Sequence, residues 1–229
     1  DNSTEADPPT ATPRPQLILH PRQGALVAGC PPAEVPEWAK AIALAKSRGE
    51  LETAHYLSSK LGNAYRDFLG QPEKALAAYQ TAYDLAVELK DTHRQAILLT
   101  VMGTVLFQLG KFMEADDYHE QAEQIAREDD NQLALALILQ NRGYQASEKP
   151  EPDHELGRRL SDESARIAER EGFDAIYFDS MLNRAGSEHD MGLYQEALAT
   201  HEELYERAKE HGNYAQMADA LHSMGEDHH

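Results

Sequence analysis

Apolar residues recur three and four positions apart along almost the whole chain from Pro36 onward. Two such runs are Trp38, Ala41, Ile42, Ala45 and Leu76, Tyr79, Ala82, Tyr83, Ala86. This spacing places apolar side chains on one face of an α-helix, and the alternation typical of half-buried strands is absent over any useful length. The pattern therefore predicts an all-α fold.

Breaks, most of which contain glycine or proline, divide this pattern into ten helices. They are predicted at 36–48, 51–69, 72–90, 92–109, 112–128, 131–147, 153–171, 173–191, 194–211 and 213–226. Because the connections are short, neighbouring helices are expected to run antiparallel. The longest connection, Lys149–Asp153, contains two prolines and is expected to form a protruding elbow.

Small residues recur along the chain in three series with one period of 40 to 42 residues. The series are Gly62, Gly103, Gly143, Ala185, Gly225; Ala75, Ala115, Gly157, Ala197; and Ala45, Ala86, Ala126, Ala168, Ala208. A period of this length is typical of stacked helical hairpins, each too small to bury its apolar face alone. The small residues are expected at helix crossings, where two backbones approach closely. Large residues are expected to fill the seams: Leu61, Tyr65, Met102, Leu106, Leu109, Leu139, Met181 and Leu221.

Two turn strings, Leu-Gly-Lys-Phe-Met-Glu-Ala at 109–115 and Met-Gly-Leu-Tyr-Gln-Glu-Ala at 191–197, resemble the signature of the tetratricopeptide repeat (TPR) family. The resemblance covers 36–229 and implies a right-handed superhelical array, an α-solenoid of antiparallel helical hairpins. The period exceeds the family's usual length of about 34 residues. In this respect the chain is similar to a long-repeat subclass found in kinesin light chains and bacterial regulatory proteins.

The predicted organisation is an arm followed by one repeat domain. Residues 1–35 hold most of the eleven prolines and are predicted to form a disordered arm or linker. The domain spans 36–229, with units at about 51–91, 92–130, 131–172 and 173–212 and a half-unit at 213–229. The first residue is Asp, which indicates a fragment or processed form, and His228 and His229 are either native or part of a tag.

The family resemblance implies that the first helix of each unit lines a concave groove that holds a partner peptide or helix. The groove residues are then Asn63, Thr104, Phe107, Gln108, Gln140, Asn141, Tyr144 and Asn183, with Arg66, Ile97, Thr100, Leu137, Asp179, Leu182, Gly186 and His189 nearby. An asparagine amide both donates and accepts hydrogen bonds, so the three asparagines could contact a peptide backbone. Phe107 and Tyr144 would be apolar anchors.

Each of these roles has a structural alternative. Asn141 and Asn183 either contact a partner or bond neighbouring helices. Arg142 and Arg184 either bind anions or pair with nearby acids. The aromatic residues Tyr79, Tyr83, Phe107 and Tyr118 either contact a ligand or pack in the seams, and Trp38 is expected to cap the first seam.

The charge of the chain restricts the classes of partner. Forty Asp and Glu against twenty-one Lys and Arg give a net charge of −19, which disfavours nucleic acid and anionic membranes as partners. No apolar run is long enough to predict a transmembrane helix. The single cysteine, Cys30, excludes an internal disulfide framework and suits a reducing compartment, so we expect a cytoplasmic protein.

Catalytic and cofactor motifs are absent from the sequence. There is no His-Glu-x-x-His, Gly-x-x-x-x-Gly-Lys-Ser/Thr, Gly-x-Gly-x-x-Gly or Gly-x-Ser-x-Gly string. Glu188, His189 and Asp190 are consecutive in a predicted helix and therefore face different directions. The sequence predicts no metal, no cofactor and no enzymatic activity.

Together these features predict a non-catalytic protein–protein interaction scaffold that binds a neutral or basic segment of another protein. A first alternative is a sensory or regulatory module of a larger signalling or transcription-regulating protein. A second alternative is self-assembly into a homo-oligomer through the open ends of the array.

Overall fold

The computed structural model describes residues 17–18, 27–28 and 35–227. The last range consists of ten α-helices: α1 Val35–Ser47, α2 Leu51–Asp67, α3 Pro72–Glu88, α4 Thr92–Gln108, α5 Phe112–Glu128, α6 Gln132–Glu148, α7 His154–Glu171, α8 Asp174–Asp190, α9 Tyr194–Glu210 and α10 Tyr214–Asp227. All ten predicted helices are confirmed, and each helix end lies within two residues of the predicted position.

Two short strands precede the helices. Residues Leu17–Ile18 (β1) pair antiparallel with Val27–Ala28 (β2). They lie in the arm for which the sequence predicts no regular structure, and the structure differs from that expectation at these four apolar residues. The rest of the arm, including Cys30, lies outside the described residues, as do His228 and His229.

The helices end and begin at recognisable caps. Gly110 and Gly172 have φ of 74° and 77°, the left-handed conformation that closes a helix without a side-chain clash. At the other end, Asp91 caps the start of α4 and Asn131 caps the start of α6. Their side chains accept hydrogen bonds from the backbone N–H groups of Arg94 and Ala134, respectively. The elbow is confirmed: it follows α6, is largely exposed, and ends at the cap residue Asp153.

Two turns, at Lys90 and Asp130, lack the glycine that this conformation favours. Lys90, between α3 and α4, has φ of 58° although it carries a side chain. We expect Lys90→Gly to raise the free energy of unfolding by about 1 kcal/mol, because it removes the left-handed penalty of a side chain. Chemical denaturation followed by circular dichroism measures the change. Lys74→Gly, at an exposed position inside α3, is the control and should lower the free energy of unfolding by about 1 kcal/mol. An equal decrease in the free energy of unfolding for both variants would contradict the prediction.

The helices stack as a solenoid of hairpins. Successive helices pack against each other, with the close pairs α2–α3, α4–α5 and α6–α7 forming the first three units. First helices of successive units also contact one another, α4 with α6, α6 with α8 and α8 with α10. Helix α7 packs as extensively on α8 as on α6, so the third and fourth units are tightly joined. The all-α solenoid is confirmed, while its right-handed sense stays a prediction.

The three series of small residues mark the helix crossings, as expected. Ala75, Ala115 and Ala197 are completely buried, as are Ala86 and Ala168 of the third series. In the first series, a methyl group on Gly62 would lie 2.4 Å from the Tyr79 ring, and one on Gly103 would lie 2.7 Å from His119 Nε2. These crossings therefore require glycine, because neither ring has room to accept a side chain opposite it.

The large residues fill the seams with one exception. Trp38 packs with Ile42, Leu61 and Ala78 and caps the first seam, as expected. Leu221 was predicted to fill a seam, but 52% of it is exposed, and this prediction is wrong. Helix α10 buries Ala220 instead, and no later helix covers the Leu221 side of α10 in the described part of the chain.

Candidate functional site

The first helices lie closer to one another than the second helices do. Helices α4, α6, α8 and α10 pack on one another from unit to unit, whereas the second helices α5, α7 and α9 are linked by the ends of long side chains, Arg127 with Glu163 and Arg207 with Glu169. Elements on the inside of a curved stack lie closer together than those on the outside. We call the solvent-accessible side chains of α2, α4, α6, α8 and α10 the inner face.

The repeat period places equivalent residues in rows across the inner face. The central row contains Tyr56, Ile97, Leu137, Asp179 and Asp219; the tyrosine row contains Asn63, Thr104, Tyr144 and Gly186; the amide row contains Lys60, Val101, Asn141 and Asn183. Rows run across the helices, so one row meets a partner that crosses several units. Asn63 belongs to a different row from the other two predicted asparagines.

Each predicted asparagine already bonds to its own scaffold. Asn63 Oδ1 accepts a hydrogen bond from the Tyr79 hydroxyl at 2.7 Å. Asn141 Nδ2 donates to the Leu137 carbonyl at 2.8 Å, and Asn183 Nδ2 donates to the Gln140 carbonyl at 3.4 Å, which joins α8 to α6. These bonds favour the scaffold alternative, although an amide has a second polar atom that can still bind a partner.

The other predicted groove residues divide between the surface and the seams. Gln108 is exposed, and Tyr144 is 47% exposed on α6. Phe107 packs edge-to-face on Phe112 with ring centroids 5.1 Å apart, which favours seam packing. Thr104 is half-buried and donates to the Thr100 carbonyl, while Thr100 itself is buried and therefore closed to a partner.

The tyrosine row contains an open position on α8. The member of the row after Tyr144, Gly186 on α8, is exposed, and a methyl group there would meet no described atom within 4 Å. Unlike Gly62 and Gly103, this helical glycine is therefore not required by a crossing. Its missing side chain leaves this position open, in the row that also contains the exposed ring of Tyr144.

One carboxylate of the central row, Asp179, lies in a partly desolvated environment. Gln140 Nε2 donates to Asp179 Oδ2 at 3.1 Å, across α6 and α8. Desolvation raises the pKa of Asp179 although its side chain is exposed, the Gln140 hydrogen bond opposes this increase, and the charge of Asp219 adds to it. Such a combination is typical of a carboxylate on a concave surface. The sequence did not single out Asp219, although the repeat period alone leads from Asp179 to it.

The two arginines next to the amide row are held by acids. Arg142 pairs with Glu123 and, at 3.6 Å, with Glu120. Arg184 pairs with Glu188 at 2.9 Å and with Asp162 at 3.5 Å. These contacts favour the structural alternative over anion binding, because both guanidinium groups are already neutralised.

Sequence reasoning missed a buried polar position in the second helices. Tyr79, His119, Ser161 and His201 lie opposite the first series of small residues and repeat with the same period. His119 is completely buried, and its two ring nitrogens have no hydrogen-bond partner of good geometry among the described residues. Desolvation lowers the pKa of His119 to about 4, the charge of Arg142 contributes to the decrease, and Gln145 opposes it.

The remaining aromatic residues belong to the core. Tyr79 is 1% exposed, and Tyr83 and Tyr118 are partly buried against the main apolar cluster. Over the described ranges, no three His, Cys, Asp or Glu side chains are arranged to hold a metal ion. A separate finding is that none of the described helices is long and apolar enough to cross a membrane.

Comparison with known families agrees with this architecture. Residues 50–128, which form α2 to α5, match the tetratricopeptide repeat family model. These residues therefore form tetratricopeptide repeats, and the predicted family is confirmed over α2 to α5. The similarity to the kinesin light chain subclass stays a prediction. No curated protein gives a significant match to the chain.

Proposed function

We propose that this protein binds a segment of another protein along its inner face. Tetratricopeptide repeats generally mediate protein–protein interactions and are generally not catalytic. The observations that carry the proposal are the exposed ring of Tyr144 on α6 and the open position at Gly186 on α8, which occupy the same repeat position on two first helices that contact each other. A methyl group at Gly186 would meet no described atom within 4 Å, so this position is open to a ligand.

The scaffold supports such binding by being formed in advance. The hydrogen bonds of Asn63 to Tyr79 and of Asn183 to the Gln140 carbonyl join α2 to α3 and α8 to α6 before a partner arrives. The partner segment alone then loses conformational freedom on binding. Tyr144 supplies a large contact area with few rotatable bonds, which is common at the energetic centre of interfaces.

The test uses a random peptide library displayed on phage and selected against the whole chain. We expect the affinity of selected peptides, measured by fluorescence polarisation, to fall at least tenfold in Gly186→Leu, which fills the space, and in Tyr144→Ala, which removes the anchor. Ala199→Leu, an exposed position on the second helix α9, is the matched control and should bind as the parent does. Peptides that bind both Gly186→Leu and Tyr144→Ala with parental affinity would contradict the proposal.

The two alternatives stay predictions. A regulatory module of a larger protein and a self-assembling array could both use the same helices. A cytoplasmic location likewise stays a prediction from the single cysteine.

A further inference from the structure

The central row changes from apolar to acidic along the array. Ile97 on α4 is 38% exposed and Leu137 on α6 is half-buried, so each presents apolar surface to solvent. The next two members, Asp179 on α8 and Asp219 on α10, are exposed carboxylates. All four occupy one repeat position, so a partner that crosses the units meets them in this order.

Among the described residues, neither carboxylate of this row forms an ion pair with Lys or Arg. The one arginine of α8, Arg184, is held by Glu188 and Asp162, and neither α8 nor α10 contains any other Lys or Arg. Gln140 supplies Asp179 with a neutral donor only. The proximity of Asp219 makes the charge of Asp179 less favourable, and a cation from outside would relieve this repulsion.

The spacing of the row fixes the spacing of the side chains that would fit it. Packed helices lie about 8–10 Å apart, and an extended chain advances about 3.3–3.6 Å per residue. Successive positions of the row are therefore spanned by about three residues of an extended segment.

Building on the proposed function, we infer that the occupant is an extended segment of another protein with two apolar side chains followed by two basic ones, each about three residues after the last. The apolar side chains contact Ile97 and Leu137, and the Lys or Arg side chains contact Asp179 and Asp219. The pattern holds in either chain direction. The net charge of −19 also favours encounter with a basic segment.

Two selections from the same random phage library test this inference. The parent chain is expected to enrich Lys or Arg about three residues from an apolar residue. The double variant Asp179→Lys, Asp219→Lys is expected to enrich Asp or Glu at that position instead, because the charge of the surface is reversed. In the selection on the parent, peptides that also bind Gly186→Leu are removed. Only peptides that use the inner face then remain.

A single substitution then measures the charge contribution. Asp179→Asn keeps an acceptor for Gln140 and should weaken a selected Lys-containing peptide about fivefold at low salt. Raising the ionic strength should weaken binding to the parent more than to this variant. Glu202→Gln, an exposed acid on the second helix α9, is the matched control with unchanged affinity. Because the charge of Asp179 is unfavourable in the folded chain, its removal is not expected to unfold the protein.

The outcomes separate this inference from the proposed function. Selected peptides that depend on Gly186 but show no basic preference, or a preference that charge reversal does not change, would overturn the inference and leave inner-face binding intact. If every peptide that binds the parent also binds Gly186→Leu, the counter-selection leaves no peptide. That outcome would overturn both the inference and the proposed function.

Discussion

Replacing Gly157 by leucine is expected to lower the free energy of unfolding by about 3 kcal/mol. Gly157 on α7 faces Gly143 on α6, and even a methyl group there would lie 2.2 Å from Ser147 Oγ and 3.0 Å from the Gly143 carbonyl oxygen. Ser147 has little freedom to move, because its hydroxyl lies 2.9 Å from that of Ser187 on α8. The backbone of Gly143 cannot rotate away, so a side chain at Gly157 must push α6 and α7 apart.

Gly186→Leu is the matched control for this prediction. It makes the same substitution inside a helix, at a position where the added atoms meet open space. Its stability should be unchanged or increase by up to about 1 kcal/mol, because leucine is a better helix former than glycine. Chemical denaturation of both variants, followed by far-ultraviolet circular dichroism, measures the difference. Equal stabilities would show that the crossing of α6 and α7 does not depend on glycine.

Acidification is expected to destabilise the protein through His119. The pKa of this buried histidine falls from its ordinary value of 6.5 to about 4. Between these pH values an unfolded chain binds a proton at His119 that the folded chain excludes, so stability is lost as the pH falls from 6.5 to 4. The loss from this one group amounts to about 3 kcal/mol and is complete below pH 4, where both states are protonated. Above pH 6.5 the group has no effect.

A comparison with His119→Phe isolates this contribution. Phenylalanine cannot take up a proton, and it resembles Tyr79, which fills the equivalent position of the first unit. The difference in unfolding free energy between parent and variant should therefore grow as the pH falls from 6.5 to 4. Desolvation also lowers the pKa of His55, with the same sign, so the difference between the two proteins is the quantity to follow. A difference that does not depend on pH would show that His119 is protonated without cost in the folded chain.

The fold was predictable because its signals are local and repeated. Helix periodicity and turn residues located ten helices, and the spacing of Gly62, Gly103 and Gly143 identified the crossings. The turn at Lys90 was located from the pattern, although its left-handed conformation has no sequence signal of its own. Leu221 was misplaced because whether a helix face is covered depends on a neighbour, and the pattern of one helix does not show that neighbour.

The site was less predictable for a related reason. The rows of the inner face follow from the period, and Asp219 could have been found from Asp179 in that way. The partners of individual polar side chains could not. Asn141 bonds along its own helix, whereas Asn183 reaches across to α6, although both occupy the same repeat position.

By itself the sequence determined the class of fold, the helix boundaries and the crossings, because each depends on residues close in the chain or on an exact period. Only the tertiary structure decided which small residues are required and which are free. Gly157 and Gly186 look alike as helical glycines, yet one faces a backbone oxygen and the other faces open space. Likewise, His119 is shielded from water only because three helices pack together around it in the tertiary structure. Such differences arise from the distances between separate helices, which no single segment encodes.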